Sequence, residues 1–214
     1  MKKVFSSGML IMLLLSAVNV CYAQSDRKVK KMQDRQYKTN LKLLKKQGWV
    51  SADKTFTLDF ALAKFYKELF ADESNNQKWY GNVLNCKATC ADVALSDAQS
   101  RYAQLASANV RKRVVGDMFN NESAPQLEEF SKFYAGYEIL VSKELSGLMK
   151  QYLAIERPNN AGGKEYEIWY IINEAEASKA RLRAMQAAFE ETRLAQQYAD
   201  QVAKFVREGF KQDE

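Results

Sequence analysis

The chain has 214 residues, with 32 lysines and arginines against 26 acids, a net charge of +6, and no histidine. The missing imidazole excludes a Cys/His nucleophile and a Cys/His zinc site, while 47% hydrophobic and 12% aromatic residues speak against disorder. The basic excess is local: residues 24–48 carry nine bases against Asp26 and Asp34, and the remainder of the chain after residue 23 is neutral to slightly acidic, which argues against a nucleic-acid partner.

Lys2 and Lys3, an apolar stretch over 9–20 and the junction Cys21-Tyr22-Ala23 read as a secretory signal peptide over 1–23, with Gln24 as the new terminus. Ser16 and Asn19 interrupt the stretch, which falls short of the roughly 20 apolar residues a permanent span needs. The alternative is a lipid anchor on Cys21, for which a small residue is wanted where Val20 stands. Export to the periplasm or envelope follows in either case. No later segment approaches membrane-spanning length without charges, so a soluble body is expected, long enough to bury roughly 70% of its unfolded surface.

Over 28–47 the periodicity predicts a helix that starts basic and then gathers Tyr37, Leu41 and Leu44 on one side, with Gly48 as its C-terminal cap. Its bases, Lys28, Lys30, Lys31 and Arg35 foremost, are candidate contacts for an envelope protein, a glycan or an anionic membrane surface. The plainer reading is a solvated helix face. A turn around Ser51, Ala52 and Asp53 follows, then a helix to about residue 71 capped by Thr57 and marked by Leu58, Leu62, Phe65 and Leu69.

From Lys78 the period changes to two, predicting a strand in which Trp79, Gly81 and Val83 alternate with Tyr80, Asn82 and Leu84. An alanine-rich helix is expected over 92–119, with Ala94, Ala98, Leu105 and Ala108 as a face of small side chains lying tightly against a sheet or helix. Pro125 suits the start of the next helix, over 126–146, whose apolar stripe is Leu127, Phe130, Tyr134, Tyr137 and Val141. Gly147 ends it. Two strands over 148–157 and 164–172, joined through Pro158-Asn159-Asn160-Ala161-Gly162-Gly163, form an antiparallel hairpin. In the second, Tyr166, Ile168, Tyr170 and Ile172 share one face and Glu165, Glu167, Trp169 and Ile171 the other. Asn173 with Glu176 makes a capping box for a terminal helix over 174–208 that stops at Gly209.

This order predicts an α+β fold: a small antiparallel sheet of about three strands packed by long helices. The domains are then the leader 1–23, a basic N-terminal helical segment 24–77, and an α+β domain 78–214 with a long C-terminal helix. The succession of strand, alanine-rich helix, aromatic helix, hairpin and terminal helix, with Arg113-Val114-Val115-Gly116-Asp117-Met118-Phe119 and Asn173-Glu174-Ala175-Glu176-Ala177-Ser178-Lys179-Ala180-Arg181, resembles the twenty-kilodalton membrane-associated lipoprotein family of bacterial envelopes. It is also similar to secreted proteins of Gram-negative anaerobes. The resemblance spans about residues 78–190 and implies an envelope location without catalytic residues.

Cys86 and Cys90, spaced C-x-x-x-C, can close a local disulfide if the chain breaks between strand and helix near 87–89; otherwise they are idle thiols. A redox pair would want C-x-x-C. Glu165 and Glu167 are the only carboxylates paired on one strand face, which would suit a hydrolase if one were buried with a raised pKa; solvent-facing residues near a hairpin explain them more simply. Gly162 and Gly163 lie in a hairpin rather than between a strand and a helix, so no phosphate cradle is indicated. Neither a cofactor nor a metal is expected. Phe133 falls off the aromatic stripe, and exposed together with Trp169 it would mark a partner site. A non-enzymatic binding protein of the envelope is the favoured function, with a histidine-free, carboxylate-dependent hydrolase as the alternative.

Overall fold

A computed structural model describes residues 8–85, 90–119, 126–159, 162–192 and 198–209, with side chains from residue 27 onward apart from Gln126. The chain divides into two compact units, residues 1–47 and 48–214. The first consists of helix α1 (Gly8–Lys46). Residues 1–7 of the expected leader, together with Cys86, Pro125, Asn160 and Ala161, lie outside the described residues. No helix among the described residues is long and apolar enough to cross a membrane.

The second unit has the expected α+β architecture. One antiparallel sheet is built from β1 (Val50–Ser51), β2 (Asn76–Leu84), β3 (Lys150–Pro158) and β4 (Lys164–Asn173) in the order β1-β3-β4-β2. The fourth strand is the short β1, which falls where the sequence predicts a turn. Two residues are too few to show an alternation, and Val50 and Ser51 are strand only because β3 lies opposite them, Val50 facing Glu156 and Ser51 facing Ile155. The hairpin β3–β4 and its pairing with β2 follow the alternation read from the sequence.

One face of the sheet is covered by α2 (Leu58–Leu69), whose first turn is held by Thr57 Oγ1 accepting from the Phe60 amide at 3.3 Å. Phe65 of α2 meets Trp169 of β4 edge-on, with ring centroids 5.1 Å apart. The body therefore begins near residue 48 rather than 78, because α2 buries its apolar face on the sheet and belongs with it.

The other face carries the main core. Ile168, Tyr170 and Ile172 of β4 with Trp79 and Val83 of β2 join side chains from α3 (Cys90–Arg113), α4 (Gln126–Glu144), α5 (Glu174–Thr192) and α6 (Ala199–Glu208). Helix α3 is closest to the sheet: a Cβ built on Gly81 would sit inside the backbone carbonyl of Ala94. The inward face of α3 is Ala94, Ala98, Tyr102, Ala103, Ala106 and Val110. Leu105 and Ala108, expected on that face, point outward. A π-helical stretch, Val114–Phe119, continues α3 where the sequence predicts an unbroken α-helix to 119.

In α4 the buried positions are Phe130, Phe133, Tyr137 and Val141, so the stripe passes through Phe133 and leaves Tyr134 half-buried. Phe133 packs on Phe189 of α5 at 4.8 Å. Adjacent helical positions lie about 100° apart, and α5 presses from the Phe133 side, so tertiary contact decides between two stripes that the sequence leaves nearly equal.

One half of the expected capping box forms, Asn173 Oδ1 accepting from the Glu176 amide at 3.4 Å, while the Glu176 carboxylate pairs with Lys179 at 2.9 Å. The terminal helix, however, is two helices, with α6 turned back so that the Val206 carbonyl accepts from Arg181 Nη2 of α5 at 3.4 Å. Helix α6 has the sharpest division of polar and apolar faces, burying Val202, Ala203, Phe205 and Val206. A straight continuation of α5 would leave that face in water, and folding it back recovers the burial of three large side chains at roughly 1.5–3 kcal/mol each.

The contact of α3 with β2 predicts opposite outcomes for two glycines. Gly81→Ala should destabilise the body by about 3 kcal/mol, since backbone rather than a flexible side chain opposes the new methyl. Gly136→Ala, in α4 with nothing within 4 Å of its Cβ position, should stabilise by about 1 kcal/mol through helix propensity. Urea unfolding of both variants checks this, and equal effects would refute the close approach.

Candidate functional site

The four bases singled out in the sequence, Lys28, Lys30, Lys31 and Arg35, are exposed on α1, as are Arg27, Lys38, Lys42, Lys45 and Lys46. Projected at 100° per residue, eight of these nine cations fall within an arc of about 100°, with only Lys30 outside it. Tyr37, Leu41 and Leu44 lie on the opposite side. The nine span 27–46, a rod of about 30 Å, and neighbours three or four positions apart sit within a Debye length of one another, so their fields add. Helix α1 thus carries a narrow, continuous cationic stripe.

The stripe and the apolar side are back to back. A helix that embedded Tyr37 and Leu41 in a bilayer would hold most of its cations away from the headgroups. The arrangement suits contact from one side with an extended polyanion or an anionic surface, without insertion.

The other candidates do not come together. Phe133 and Trp169 are both buried, on opposite sides of the sheet, Phe133 in the helical core and Trp169 beneath Phe65 of α2. The condition for a partner site, joint exposure of the two rings, is not met: each ring fills a packing position. Cys90 is disulfide-bonded, and Cys86 lies outside the described residues.

Glu165 and Glu167 share a strand face, as the alternation predicts, yet each is engaged by its own partner. Arg157, opposite Glu165 in register, places Nη2 at 2.7 Å and Nε at 2.8 Å from Glu165 Oε2. Glu167 accepts from Trp169 Nε1. Glu156 pairs diagonally across the hairpin with Lys164 at 2.7 Å, a hydrogen bond that holds its carboxyl below the usual range. The hairpin is a ladder of cross-strand ion pairs, and such pairs stabilise the register by a few tenths to one kcal/mol each. Chemistry by a carboxylate pair needs two acids free to share one task; here Glu165 is committed to Arg157 and Glu167 to Trp169. Among the described residues no cluster of acidic or sulfur ligands is placed to hold a metal ion.

One ionisable residue of this face is not marked by the sequence pattern. Lys78 of β2 sets its ammonium 3.3 Å from the centroid of the Trp169 ring, a cation–π contact. Burial pushes its pKa down to about 8, with the Glu167 carboxylate pulling the other way. A lone lysine between Gln77 and Trp79 reads as the solvent side of an edge strand; in the fold it is half-buried, lying over the Trp169 ring that Phe65 of α2 packs against.

Comparison of the chain with protein-family models, with curated proteins and with solved structures finds no match.

Lys78 gives a pH-dependent stability with a definite sign. Its folded value of about 8 lies below the ordinary 10.5, so between those limits the unfolded chain binds a proton that the folded chain has released, and stability rises with pH across that window. Below pH 8 the cost of burying the charge is fully present. Lys78→Met should therefore stabilise the fold by about 2 kcal/mol at pH 7, a gain that fades as the pH rises from 8 to 10.5. Urea midpoints for both proteins at pH 7, 9 and 10.5 test it, and a difference that stays constant with pH would refute it.

Proposed function

We propose that the chain is an exported, non-catalytic binding protein of the cell envelope, and that the basic segment 24–48 is its contact with an acidic partner: protein, glycan or anionic membrane surface. The observation that carries this reading is the one-sided cationic stripe of α1. Nine exposed bases within residues 27–46 of one helix repel one another, and gathering eight of them on one arc raises that cost. A polyanion laid along the stripe removes the repulsion and gains from every cation at once. The ion-paired state of Glu165 supports the non-catalytic side of the reading, since it leaves the hydrolase alternative without its carboxylate pair. The export address rests on Lys2, Lys3 and the apolar stretch 9–20.

Replacing Lys28, Lys30, Lys31 and Arg35 together by glutamine tests the role of the stripe. With each base near an anionic surface contributing about 1 kcal/mol, affinity for anionic vesicles or an immobilised sulfated polysaccharide at low salt should fall by about a hundredfold or more. Binding by the parent chain should weaken steeply as salt is raised. Unchanged retention of the variant on both supports would overturn the assignment.

A further inference from the structure

The second unit carries its own anion-facing surface, formed where α3 runs past the free edge of β2. A cavity of about 620 Å³ is walled on one side by three consecutive residues of β2, Lys78, Trp79 and Tyr80, and on the other by Arg101, Gln104, Leu105 and Ala108 of α3. A second, of about 760 Å³, continues along α3 past Arg111, Lys112 and Val115 toward Leu127 and Tyr134 of α4. Ala108 lines both, so the two adjoin end to end as a trough along one side of α3. From Arg101 to Gly116 it is about 22 Å long, the reach of six or seven extended residues.

Its charge has one sign. Arg101, Arg111 and Lys112 line it, and no carboxylate does among the described lining residues. Two of the guanidiniums are steadied over aromatic rings, Arg101 over Tyr80 at 5.4 Å and Arg111 over Tyr134 at 6.0 Å. Arg101 shares its charge with Asp97 at 3.0 Å, whereas no carboxylate pairs with Arg111 or Lys112 among the described residues. Exposed apolar surface lies between the charges, in Leu105 at 48% and Tyr80 at 42% exposure.

The wall provided by β2 is a main-chain edge. The strand pairs with β4 alone. Asn85 turns its amide toward β4, donating to the Lys164 carbonyl at 2.9 Å, and Asn82 turns its amide outward to Asp97 Oδ2 at 3.0 Å. Strand parity then points the N–H and C=O groups of Lys78 and Tyr80 outward, into the trough. Asp97 caps the edge beyond them, so only a short ladder can be added there.

We propose that this trough binds an extended acidic peptide segment of a partner protein, which pairs its backbone with β2 at Lys78 and Tyr80 and runs its carboxylates past Arg111 and Lys112. Charge complementarity selects an anion, and the outward main-chain groups select a peptide over a glycan, since a strand adds to a sheet edge through its own amides. The site lies on a different element from the α1 stripe and does not depend on it.

The test titrates the full chain with a fluorescent seven-residue peptide of alternating glutamate and valine, with the same peptide N-methylated at alternate amides, and with a sulfated oligosaccharide. Each is repeated with R111Q/K112Q, whose altered side chains are exposed, and with the fourfold glutamine variant of α1. The expected result is peptide binding that weakens about tenfold in R111Q/K112Q, and about tenfold on N-methylation through loss of edge hydrogen bonds, with little change in the α1 variant. Three results would each overturn the proposal: an N-methylated peptide that binds as well as its parent, an affinity indifferent to Arg111 and Lys112, or peptide binding that vanishes with the α1 bases. The last would leave the α1 reading standing, while oligosaccharide binding lost only in the α1 variant would separate the two sites.

Discussion

The guanidinium of Arg181, 1% exposed, ties together three helices of the body, α3, α5 and α6. Its Nη2 lies 2.6 Å from Glu174 Oε1, at the start of the same helix. Its Nη1 donates to the hydroxyl of Tyr102 in α3, and that hydroxyl donates in turn to Glu174 Oε2 at 3.1 Å. Burial works against the charge, and the field of Tyr102 with the hydrogen bond and field of Glu174 outweighs it, so the arginine holds its proton more tightly than usual. A cation so deeply buried is costly unless its partners are in place. They are in place only when α3, α5 and α6 are docked together, because the last partner is the Val206 carbonyl near the end of α6, where the helix dipole is negative. Gly209 closes the arrangement with φ +66°, its carbonyl accepting from Asn109 Nδ2 at 2.7 Å, and a Cβ there would stand 3.1 Å from both Arg181 Nη2 and Glu174 Oε1. The charge acts as a docking key: it costs desolvation everywhere and is satisfied at one place.

The parts of the fold legible in the sequence are those written in local chemistry. Thr57 caps α2 through the amide three residues on, Asn173 caps α5, Gly147 takes φ +81° after α4, and the alternation of β2 and β4 gives their faces directly. The parts that could not be read are set by what lies opposite. Phe133 and Tyr134 are equally aromatic, and α5 chooses between them. Leu105 continues a small-residue pattern but falls outward, because α3 is held by Ala94 against Gly81 and its rotation is fixed at that end. Between Thr192 and Ala199 no proline or glycine announces that the terminal helix divides. Its fold-back is driven by the apolar face of α6 and by Arg181, one a pattern without a stated destination and the other a buried charge with no sequence mark. The same holds for function. The bases of α1 were visible as a count, and their alignment needed only the angle of 100° per residue; the trough needed β2 and α3 side by side.

Distribution rather than sum gives the positive charge its meaning. In the hairpin, Arg157 and Lys164 are each met across the strands by Glu165 and Glu156, so that end of the sheet is electrically quiet. At the far end of α3, Arg113 is shared between Asp117 and Glu208. These paired cations hold register and helix ends. The cations of α1 form a stripe along one exposed side, and Arg111 and Lys112 line the α3 trough without a carboxylate partner among the described residues. A chain that neutralises its charges where they are structural and leaves others aligned on solvent-facing tracks has placed its unsatisfied electrostatics where a partner can reach them.

The close approach that makes the core also makes the second track. Without a side chain at Gly81, α3 settles directly onto β2, its alanines inward, and its outer flank is drawn alongside the edge of the same strand. Tyr80 then stands beside Arg101, and the outward amides of β2 lie at the foot of a wall carrying Arg111 and Lys112 farther along. The small residues that serve packing on one face of α3 are thus the reason that its other face borders an open strand. A bulkier inner face would lift the helix, and the basic flank would stand alone in solvent as an ordinary charged surface, without the main-chain edge that distinguishes a peptide from any other anion.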